Sequence, residues 1–519
     1  MFKKNIYRWH RTCSLIVALP VVLWAVSGFM HPIMTNIRPA IATQGIQAVA
    51  IDSSQIRVPL KAALQQNKID SLNTVRFIHI GANWFYQIRI PGKNELQYIS
   101  VKDGKLLRNG DRLYAQCLAR IFLEGEGENS APVDNTTLGD TYDCCNSATL
   151  FVLHPKTGVP VKDVTVVTSF DDSYQSINRV LPVYRVSFKR EDGVSVYVET
   201  AQDRFVFATN DSRVAFSTFF RLAHTWSWLD FLGKGKLLVE IFLTGLAFLT
   251  TLLGIYIFFT TKRSKTGDTA KPRRNHRYTS IVASLFTLMF TFSGCYHALS
   301  KLEDKPEDRF IVNTFPTSSA NLDVRKIQSL QSVALTNIGL TKIGNTSYWQ
   351  VYAASPKSSV GKDLMKDKAV MAPVVTYLEV DTYTAIEAGS EKHARSLATQ
   401  FTNQLESEIT STSLINRFDK EYNFADKFLP VLRVEFSGGN HERCFVEIAT
   451  GRLSKRIDNK TGYERYSFAF LHKHEFLGGF GKSVKDFSTM FWAAAQVAMV
   501  VIGIILYLKL RRRKQTNIG

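Results

Sequence analysis

Histidines are the residues of this 519-residue sequence whose type and spacing most clearly indicate chemistry. His10 and His31 are 21 residues apart, and His276 and His297 repeat that spacing. On an α-helix, 21 residues rise about 31 Å and turn the second side chain about 60° from the first. Each pair would thus place one imidazole at either boundary of a membrane, on a similar helix face. Neutral imidazole is a common axial ligand of haem iron, so the spacing predicts haem binding.

Three more histidines lie before other apolar segments. His224 and His472 are 248 positions apart, and His474 follows two residues later. The residues alone leave the pairing open: His10 with His276 on one side, and His31 with His297 or His224 with His472 on the other. His474 is an alternative to His472 as the partner of His224.

The competing interpretation of these histidines is structural, since a histidine near a membrane interface often serves as a headgroup-level polar residue. Ionisable residues at membrane depth are nevertheless functional candidates. His79, His154, His393 and His441 have no matched counterpart and are predicted to lie on the surface or in loops.

Composition excludes several classes. Aromatic residues make up 12% of the chain and six cysteines occur, which argues against disorder and against a disulfide scaffold. The sequence contains no GxGxxG, P-loop, HExxH or CxxCH motif, so no nucleotide, flavin, zinc-protease or c-type haem site is evident. No catalytic side chain can be assigned.

Four apolar segments are long enough, or nearly so, to cross a bilayer: 12–30, 237–260, 280–295 and 491–508. The N-terminus carries a charge of +4, the stretch 262–277 carries +6 and the tail carries +5, together +15 of the chain's +19. Basic residues concentrate on the cytoplasmic side of membrane proteins. We therefore expect cytoplasmic termini, two long stretches outside (32–223 and 298–472) and no nucleic-acid partner. A cleavable signal ending near Ala40-Ile41-Ala42 is the less favoured interpretation.

An internal duplication is predicted from constant offsets between the halves. An offset of 266 relates residues around the first and third segments, and an offset of 248 relates residues ahead of the second and fourth. The matched pairs include Ser27/Ser293, His31/His297, Pro182/Pro430, Glu199/Glu447, Arg204/Arg452 and His224/His472.

Both long stretches are predicted to be α+β. Alternating residues at 84–90, 184–188 and 194–198 have strand period, and Asp103-Gly104 and Asp192-Gly193 indicate turns. Helical patterns occur at 113–122 and 394–405.

The arginine and histidine that begin a membrane helix, the Ser-Gly and His at its far end, and the histidine followed by Phe-Leu-Gly before the next helix resemble the PepSY-associated transmembrane helix proteins. That family includes iron-regulated inner-membrane proteins and haem-containing ferrisiderophore reductases. The resemblance implies a membrane α-helical fold with four transmembrane helices and two extracytoplasmic α+β PepSY-like domains. It also implies an oxidoreductase that uses haem b, with two or more haems held by His10, His276, His31, His297, His224 and His472.

The expected organisation has eight parts. They are the N-terminal segment with the first membrane helix (1–34), a first PepSY-like domain (35–222), the second membrane helix (223–261), a basic cytoplasmic loop (262–277), the third membrane helix (278–299), a second PepSY-like domain (300–470), the fourth membrane helix (471–510) and a basic tail (511–519).

The expected function is electron transfer across a bacterial inner membrane to a periplasmic acceptor, by resemblance a ferric siderophore. The expected partners are then the lipid bilayer, that acceptor and an unidentified electron donor. The sequence does not decide whether the protein forms a homodimer. The alternative is a non-enzymatic PepSY membrane module that binds a peptide or protease, senses the envelope or assists a transporter.

Cysteines divide between membrane and outer stretches. Cys13 and Cys295 fall in apolar segments, while Cys117, Cys144, Cys145 and Cys444 fall outside, where a disulfide is favoured in an oxidising compartment. Cys117 is predicted to pair with Cys144 or Cys145, and a vicinal Cys144–Cys145 disulfide is the alternative.

Overall fold

The computed structural model describes residues 2–46, 48–80, 83–125, 159–261, 270–303, 309–353, 372–419, 421–423 and 426–516. The chain divides into two compact units, each drawn from both halves of the sequence. The helical unit comprises Met1–Arg38, Ser212–Lys305 and Asn459–Gly519, and the β-rich unit comprises Pro39–Asp211 and Pro306–Asp458.

The described α-helices are numbered in chain order. They are α1 Phe2–Asn36, α2 Leu60–Gln66, α3 Gly110–Glu124, α4 Asp211–Ala223, α5 Lys234–Thr260, α6 Ala270–Ser300, α7 Val324–Ser329, α8 Gly389–Thr402, α9 Asn459–Ser467 and α10 Lys482–Thr516. A short π-helix, Phe468–His472, continues α9, and 3-10 turns at Ser227–Leu232 and Glu475–Phe480 precede α5 and α10.

The described strands are likewise numbered along the chain. They are β1 Ser71–Leu72, β2 Thr74–Ile80, β3 Asn83–Arg89, β4 Gln97–Ser100, β5 Val161–Val167, β6 Val183–Phe188, β7 Ser195–Glu199, β8 Arg204–Thr209, β9 Arg309–Phe310, β10 Phe315–Pro316, β11 Leu335–Ile343, β12 Thr346–Ala353, β13 Val374–Glu379, β14 Ala385–Ile386, β15 Ile409–Ile415, β16 Val431–Phe436, β17 Arg443–Glu447 and β18 Arg452–Ile457.

Four helices are long and apolar enough to cross a membrane, as the sequence predicts. The spans are Asn5–Asn36, Lys234–Thr260, Ala270–Ser300 and Lys482–Arg512. The third is longer than the apolar segment 280–295, because α6 begins at Ala270 and includes the second part of the basic stretch expected to be a loop. Residues 262–269 of that stretch lie outside the described residues.

The four helices form a ring. α1 packs against α5 and α10, and α6 packs against the same two helices, so α1 and α6 occupy opposite corners. Buried hydroxyl residues on the inner faces, such as Thr287, Thr291 and Ser293, donate hydrogen bonds to carbonyls of their own helices. These bonds satisfy polar groups where no water is available.

The β-rich unit is built from antiparallel sheets. Its two larger helices, α3 and α8, each pack between two sheets. The sheets have the orders β2-β3-β4, β5-β6-β7-β8, β11-β12-β13-β14, β15-β16-β17-β18-β9 and β1-β10. Helix α3 packs on β4 and on β5 to β8, and α8 packs on β11, β13 and β15 to β18. Each of these helices therefore buries two faces.

The two β-rich stretches share their interior within this unit. β1 pairs with β10, and Asn337 on β11 hydrogen-bonds both backbone groups of Phe77 on β2. One buried cluster combines Tyr174 and Tyr197 with Tyr422 and Phe445. The stretches expected as two domains thus form one compact body.

Candidate functional site

The first matched pair is His10 on α1 and His276 on α6, called the N-terminal pair because both lie near the start of their helices. His10 Nδ1 lies 3.2 Å from the backbone oxygen of Thr250 on α5. The imidazole of His276 hydrogen-bonds the backbone of Met499 on α10, and it lies within electrostatic range of His10. A neighbouring helix therefore holds each ring by a backbone group.

Glycines make room for the N-terminal pair. A Cβ at Gly254 on α5 would lie 3.3 Å from Cε1 of His10, and a Cβ at Gly503 on α10 would lie 3.1 Å from Cε1 of His276. Both distances are tighter than ordinary carbon contacts. Each glycine follows the backbone partner of its histidine by four residues, one helical turn.

The second pair is His224 and His472, called the central pair. Their ring centroids lie 6.2 Å apart and their planes are nearly perpendicular, at 82°. His224 directly follows α4, and His472 ends the π-helix, so equivalent elements deliver the two rings. Both side chains are half-buried.

Serines on the membrane helices orient the central pair. Ser27 Oγ lies 3.0 Å from Nδ1 of His224, and Ser293 Oγ lies 3.0 Å from Nδ1 of His472. Each hydroxyl donates its own proton to a carbonyl of its helix, of Leu23 and of Met289. The serine oxygen therefore accepts from Nδ1–H, which leaves the lone pair on Nε2 of each imidazole.

Burial favours the neutral form of these rings. It lowers the pKa of His224 to about 4, and it holds the pKa of His472 well below its ordinary value of 6.5. Both imidazoles are then uncharged at neutral pH, the form that binds a metal.

The third pair, His31 and His297, flanks the central pair. The His31 ring lies 5.1 Å from Phe220, which stacks on His224 at 4.5 Å. In the second half, His297 lies 4.4 Å from Phe468, which stacks on His472 at 4.5 Å. One phenyl ring therefore separates each flanking histidine from its central neighbour.

Of the two flanking histidines, His297 is the one with a described hydrogen bond to a carboxylate. His297 Nδ1 lies 2.6 Å from Glu464 Oε1 on α9, and the Glu464 side chain is 5% exposed. The residue 248 positions earlier is Phe216.

His474 is fully buried beside the central pair. Its Nδ1 lies 3.0 Å from Ser488 Oγ, while its Nε2 has no hydrogen-bond partner among the described residues. Phe286 and Phe290 lie 5.2 Å from the ring. Burial lowers the pKa of His474 to about 4.

The donor chemistry of these sites fits haem. Two metal–nitrogen bonds of about 2 Å together with two ring radii span roughly 6 Å, which agrees with the 6.2 Å between the central rings. Metal-bound histidines commonly donate their other ring N–H to a carbonyl, carboxylate or similar acceptor, as the central pair and His10 do here. No group of three or more His, Cys, Asp or Glu suited to a bare metal ion occurs within the described part of the chain.

The depth of the central pair decides how far it lies from the N-terminal pair. His31 lies 21 residues from His10, about 31 Å along the helix. Ser27, which contacts the central pair, lies only 17 residues from His10, about 25 Å. The central pair therefore shortens the distance between the two candidate sites.

Several residues of the site were not singled out from the sequence for any role. They include Gly254, Gly503, Phe220, Phe468 and Glu464. The constant offset of 248 could have identified the two phenylalanines, since they are matched as the central histidines are. Glu464 has no such signal, because its counterpart is Phe216.

The remaining histidines differ in placement. His393 was expected on the surface but is 1% exposed, because the apolar face of α8 carries it into the β-rich unit. His79 is half-buried and stacks on Trp84, and His441 is exposed. His154 lies outside the described residues.

Cys13 and Cys295 lie in the helical unit, and Cys117 and Cys444 lie in the β-rich unit. Cys117 is disulfide-bonded, as predicted, and Cys13, Cys295 and Cys444 are free. Cys144 and Cys145 lie outside the described residues.

The β-rich unit contains a cavity of about 1420 Å³ that sequence reasoning did not reveal. Its lining includes Arg204, Glu199 and Glu447. Arg204 forms ion pairs with both carboxylates, one from each stretch. These glutamates are therefore engaged in a structural ion-pair cluster.

Comparison with known proteins identifies the family. The sequence model of the PepSY-associated TM region matches residues 7–321, more than half of the chain. No curated protein matches the sequence. With its four apolar helices, the chain is a multi-pass membrane protein and belongs to the PepSY-associated TM region family.

Proposed function

We propose that this protein binds haem b at the N-terminal pair and at the central pair, and that it transfers electrons across the membrane. The observation that carries the proposal is the central pair, in which two imidazole rings lie 6.2 Å apart with both Nδ1 atoms hydrogen-bonded to serine. Bound haem supplies a one-electron carrier, and the chain supplies ligands and polarity.

The roles of the residues follow from their contacts. His224 and His472 would hold one haem, and Ser27 and Ser293 fix the tautomer of their rings. His10 and His276 would hold the other. His31, His297 and His474 lie around the central pair. Their rings limit the access of water to the proposed haem and influence the electrostatic environment of its ligands.

We further propose that the chain arose by duplication and that both termini are cytoplasmic. The matched contacts at Ser27 and Ser293 support the duplication. The charge of +15 in three short segments supports the orientation. The β-rich unit then lies in the periplasm of a bacterial inner membrane.

The proposed acceptor is a ferric siderophore, reduced by one electron so that weakly held Fe(II) is released. The electron comes from a cytoplasmic reductant. The family resemblance supports this acceptor.

The decisive experiment is a haem stoichiometry with a visible spectrum of the full-length protein in detergent. We expect a Soret band and two haems b per chain, one at the N-terminal pair and one at the central pair. A His10→Ala/His276→Ala double variant should retain only the central haem, while the exposed His441→Ala control should retain both. The dithionite-reduced protein should be reoxidised by a ferric trihydroxamate. A folded protein without a Soret band would end the proposal.

A second candidate function is a non-enzymatic module, favoured by the cavity of about 1420 Å³ in the β-rich unit. Such a module would bind a peptide or protease, sense the envelope or assist a transporter, with structural histidines. It predicts a folded, colourless protein whose spectrum does not change in the double variant.

A further inference from the structure

The strongest difference between the two halves of the helical unit is a buried carboxylate. Glu464 Oε1 lies 2.6 Å from Nδ1 of His297, and the side chain of Glu464 is 5% exposed. An ionised carboxylate so placed accepts the Nδ1 proton and leaves the lone pair of His297 on Nε2. It also places negative charge where little water screens it.

The carboxylate is close to the central pair. His297 lies 4.4 Å from the Phe468 ring, and Phe468 stacks on His472 at 4.5 Å. The charge at Glu464 is thus two ring contacts from a proposed iron ligand, by way of His297.

The first half has no described carboxylate hydrogen-bonded to its flanking histidine; Asp486 lies within electrostatic range of His31 but forms an ion pair with Lys482. Phe216 stands 248 residues before Glu464, and His31 has no hydrogen bond to a carboxylate in the part of the chain that the structure describes. The serines that anchor His224 and His472 are the same in both halves, so they do not create this difference.

We propose that Glu464 is a positioning residue that acts through His297 to lower the reduction potential of the haem at the central pair, an inference that rests on the proposed haem-binding function. Negative charge near the iron stabilises its oxidised form, and a carboxylate bonded to an imidazole increases the electron density on that ring. A lower potential makes the haem on the exit side a stronger reductant toward the acceptor.

The test is a spectroelectrochemical titration of the full-length protein. Glu464→Gln removes the charge and keeps the shape, and it should raise the midpoint potential of the central haem. The expected shift corresponds to a tenfold change in the equilibrium constant for one-electron reduction, about 59 mV. Phe216→Leu, the matched substitution in the first half, should leave both potentials unchanged.

Glu464→Asp provides a second variant if Glu464→Gln does not fold. It keeps the charge but withdraws it from Nδ1, so the same haem should shift in the same direction by a smaller amount. Unchanged potentials in a folded Gln or Asp variant, or an equal shift in Phe216→Leu, would overturn the inference while the haem function stands. A wild-type protein without haem overturns both.

Discussion

The two halves of the helical unit are alike at its centre and different around it. Each half supplies a serine, a phenylalanine and a histidine: Ser27, Phe220 and His224 in the first, and Ser293, Phe468 and His472 in the second. The serine–histidine distance is 3.0 Å in both, and the phenylalanine–histidine ring distance is 4.5 Å in both.

The surrounding positions differ in chemistry. Glu464 corresponds to Phe216, and His474 corresponds to Trp226, whose indole donates to the backbone of Ala223. Trp226 and His474 share the left-handed backbone conformation, with φ of 46° and 52°. The backbone conformation at this position is thus the same in both halves, although the side chain differs. Two equivalent ligands suit an ion bound between them, whereas unequal surroundings give its two sides different charge and polarity.

The largest expected effect comes from removing either histidine of the central pair. His224→Ala and His472→Ala should each weaken haem binding at this site, because only one of the two proposed histidine ligands would remain. The haem content of each variant, measured by the pyridine haemochromogen, should fall below that of the wild type, and the visible spectrum of any haem that remains should change. Unequal losses would mean that the halves do not contribute equivalent ligands.

The ion pairs that link the two β-rich stretches should give the next largest effect, on the stability of the fold. Arg204 Nη1 lies 2.9 Å from Glu199 Oε2 in its own stretch, and Nη2 pairs with Glu447 in the other. All three side chains are at most 15% exposed. Arg204→Met should therefore lower the free energy of unfolding by about 3–5 kcal/mol, because two buried carboxylates lose an ion-pair partner. Denaturant unfolding followed by tryptophan fluorescence measures the change.

A compensating variant tests the cause. Adding Glu199→Gln and Glu447→Gln to Arg204→Met should recover much of the loss, because replacing a whole buried ion cluster is often nearly neutral. If the triple variant is no more stable than Arg204→Met, the loss comes from packing.

The sequence predicts the bundle better than it predicts the site. Apolar length and charge identify all four spans, because a bilayer imposes a strong length requirement. Three strands of the first stretch, β3, β6 and β7, follow from alternation. The union of the two stretches does not, since the hydrogen bond of Asn337 to Phe77 joins chain segments 260 residues apart.

The site histidines follow from their offsets, whereas their partners do not. A backbone oxygen such as that of Thr250 carries no side-chain signal, and Glu464 has no matched residue. His393 shows that the burial of a single histidine is also hard to predict. Its burial depends on the packed face of α8, which the sequence around a single histidine does not reveal.

Replacing the serine that contacts each central histidine should have a smaller effect on haem affinity, and it tests whether the two halves anchor their histidines equally. Ser27→Ala and Ser293→Ala each remove the acceptor for Nδ1–H of one central histidine, so the imidazole loses its fixed tautomer. Loss of such a partner weakens metal binding by about 10- to 100-fold. Haem retention during titration with apomyoglobin measures the affinity. Ser14→Ala on α1 is the control, since its hydroxyl bonds only the carbonyl of His10 among the described residues. Wild-type retention in both serine variants would contradict the proposed anchoring.

The smallest effect concerns a difference between the halves of the β-rich unit. Tyr114 and His393 lie at equivalent places on α3 and α8, four residues after Gly110 and Gly389. Tyr114 donates to Asp203, whereas His393 Nε2 lies 3.1 Å from Thr341 Oγ1 and its Nδ1 lies 3.1 Å from the Tyr377 hydroxyl. Only the second half therefore contains a group here that titrates near neutral pH when the chain unfolds.

Burial lowers the pKa of His393 to about 3, from an ordinary value of 6.5. Between these values the unfolded chain binds a proton that the folded chain excludes. Stability should therefore be unaffected by His393 above pH 6.5 and fall by about 1.4 kcal/mol for each pH unit below it. His393→Gln, which can still bond Thr341 and Tyr377, should flatten this dependence between pH 6.5 and 4.5, whereas His441→Ala should not. Thermal melts of the full-length protein compare the slopes. Parallel curves for wild type and His393→Gln would show that the imidazole gains its proton without leaving the fold, and the contrast with Tyr114 would then have no consequence for stability.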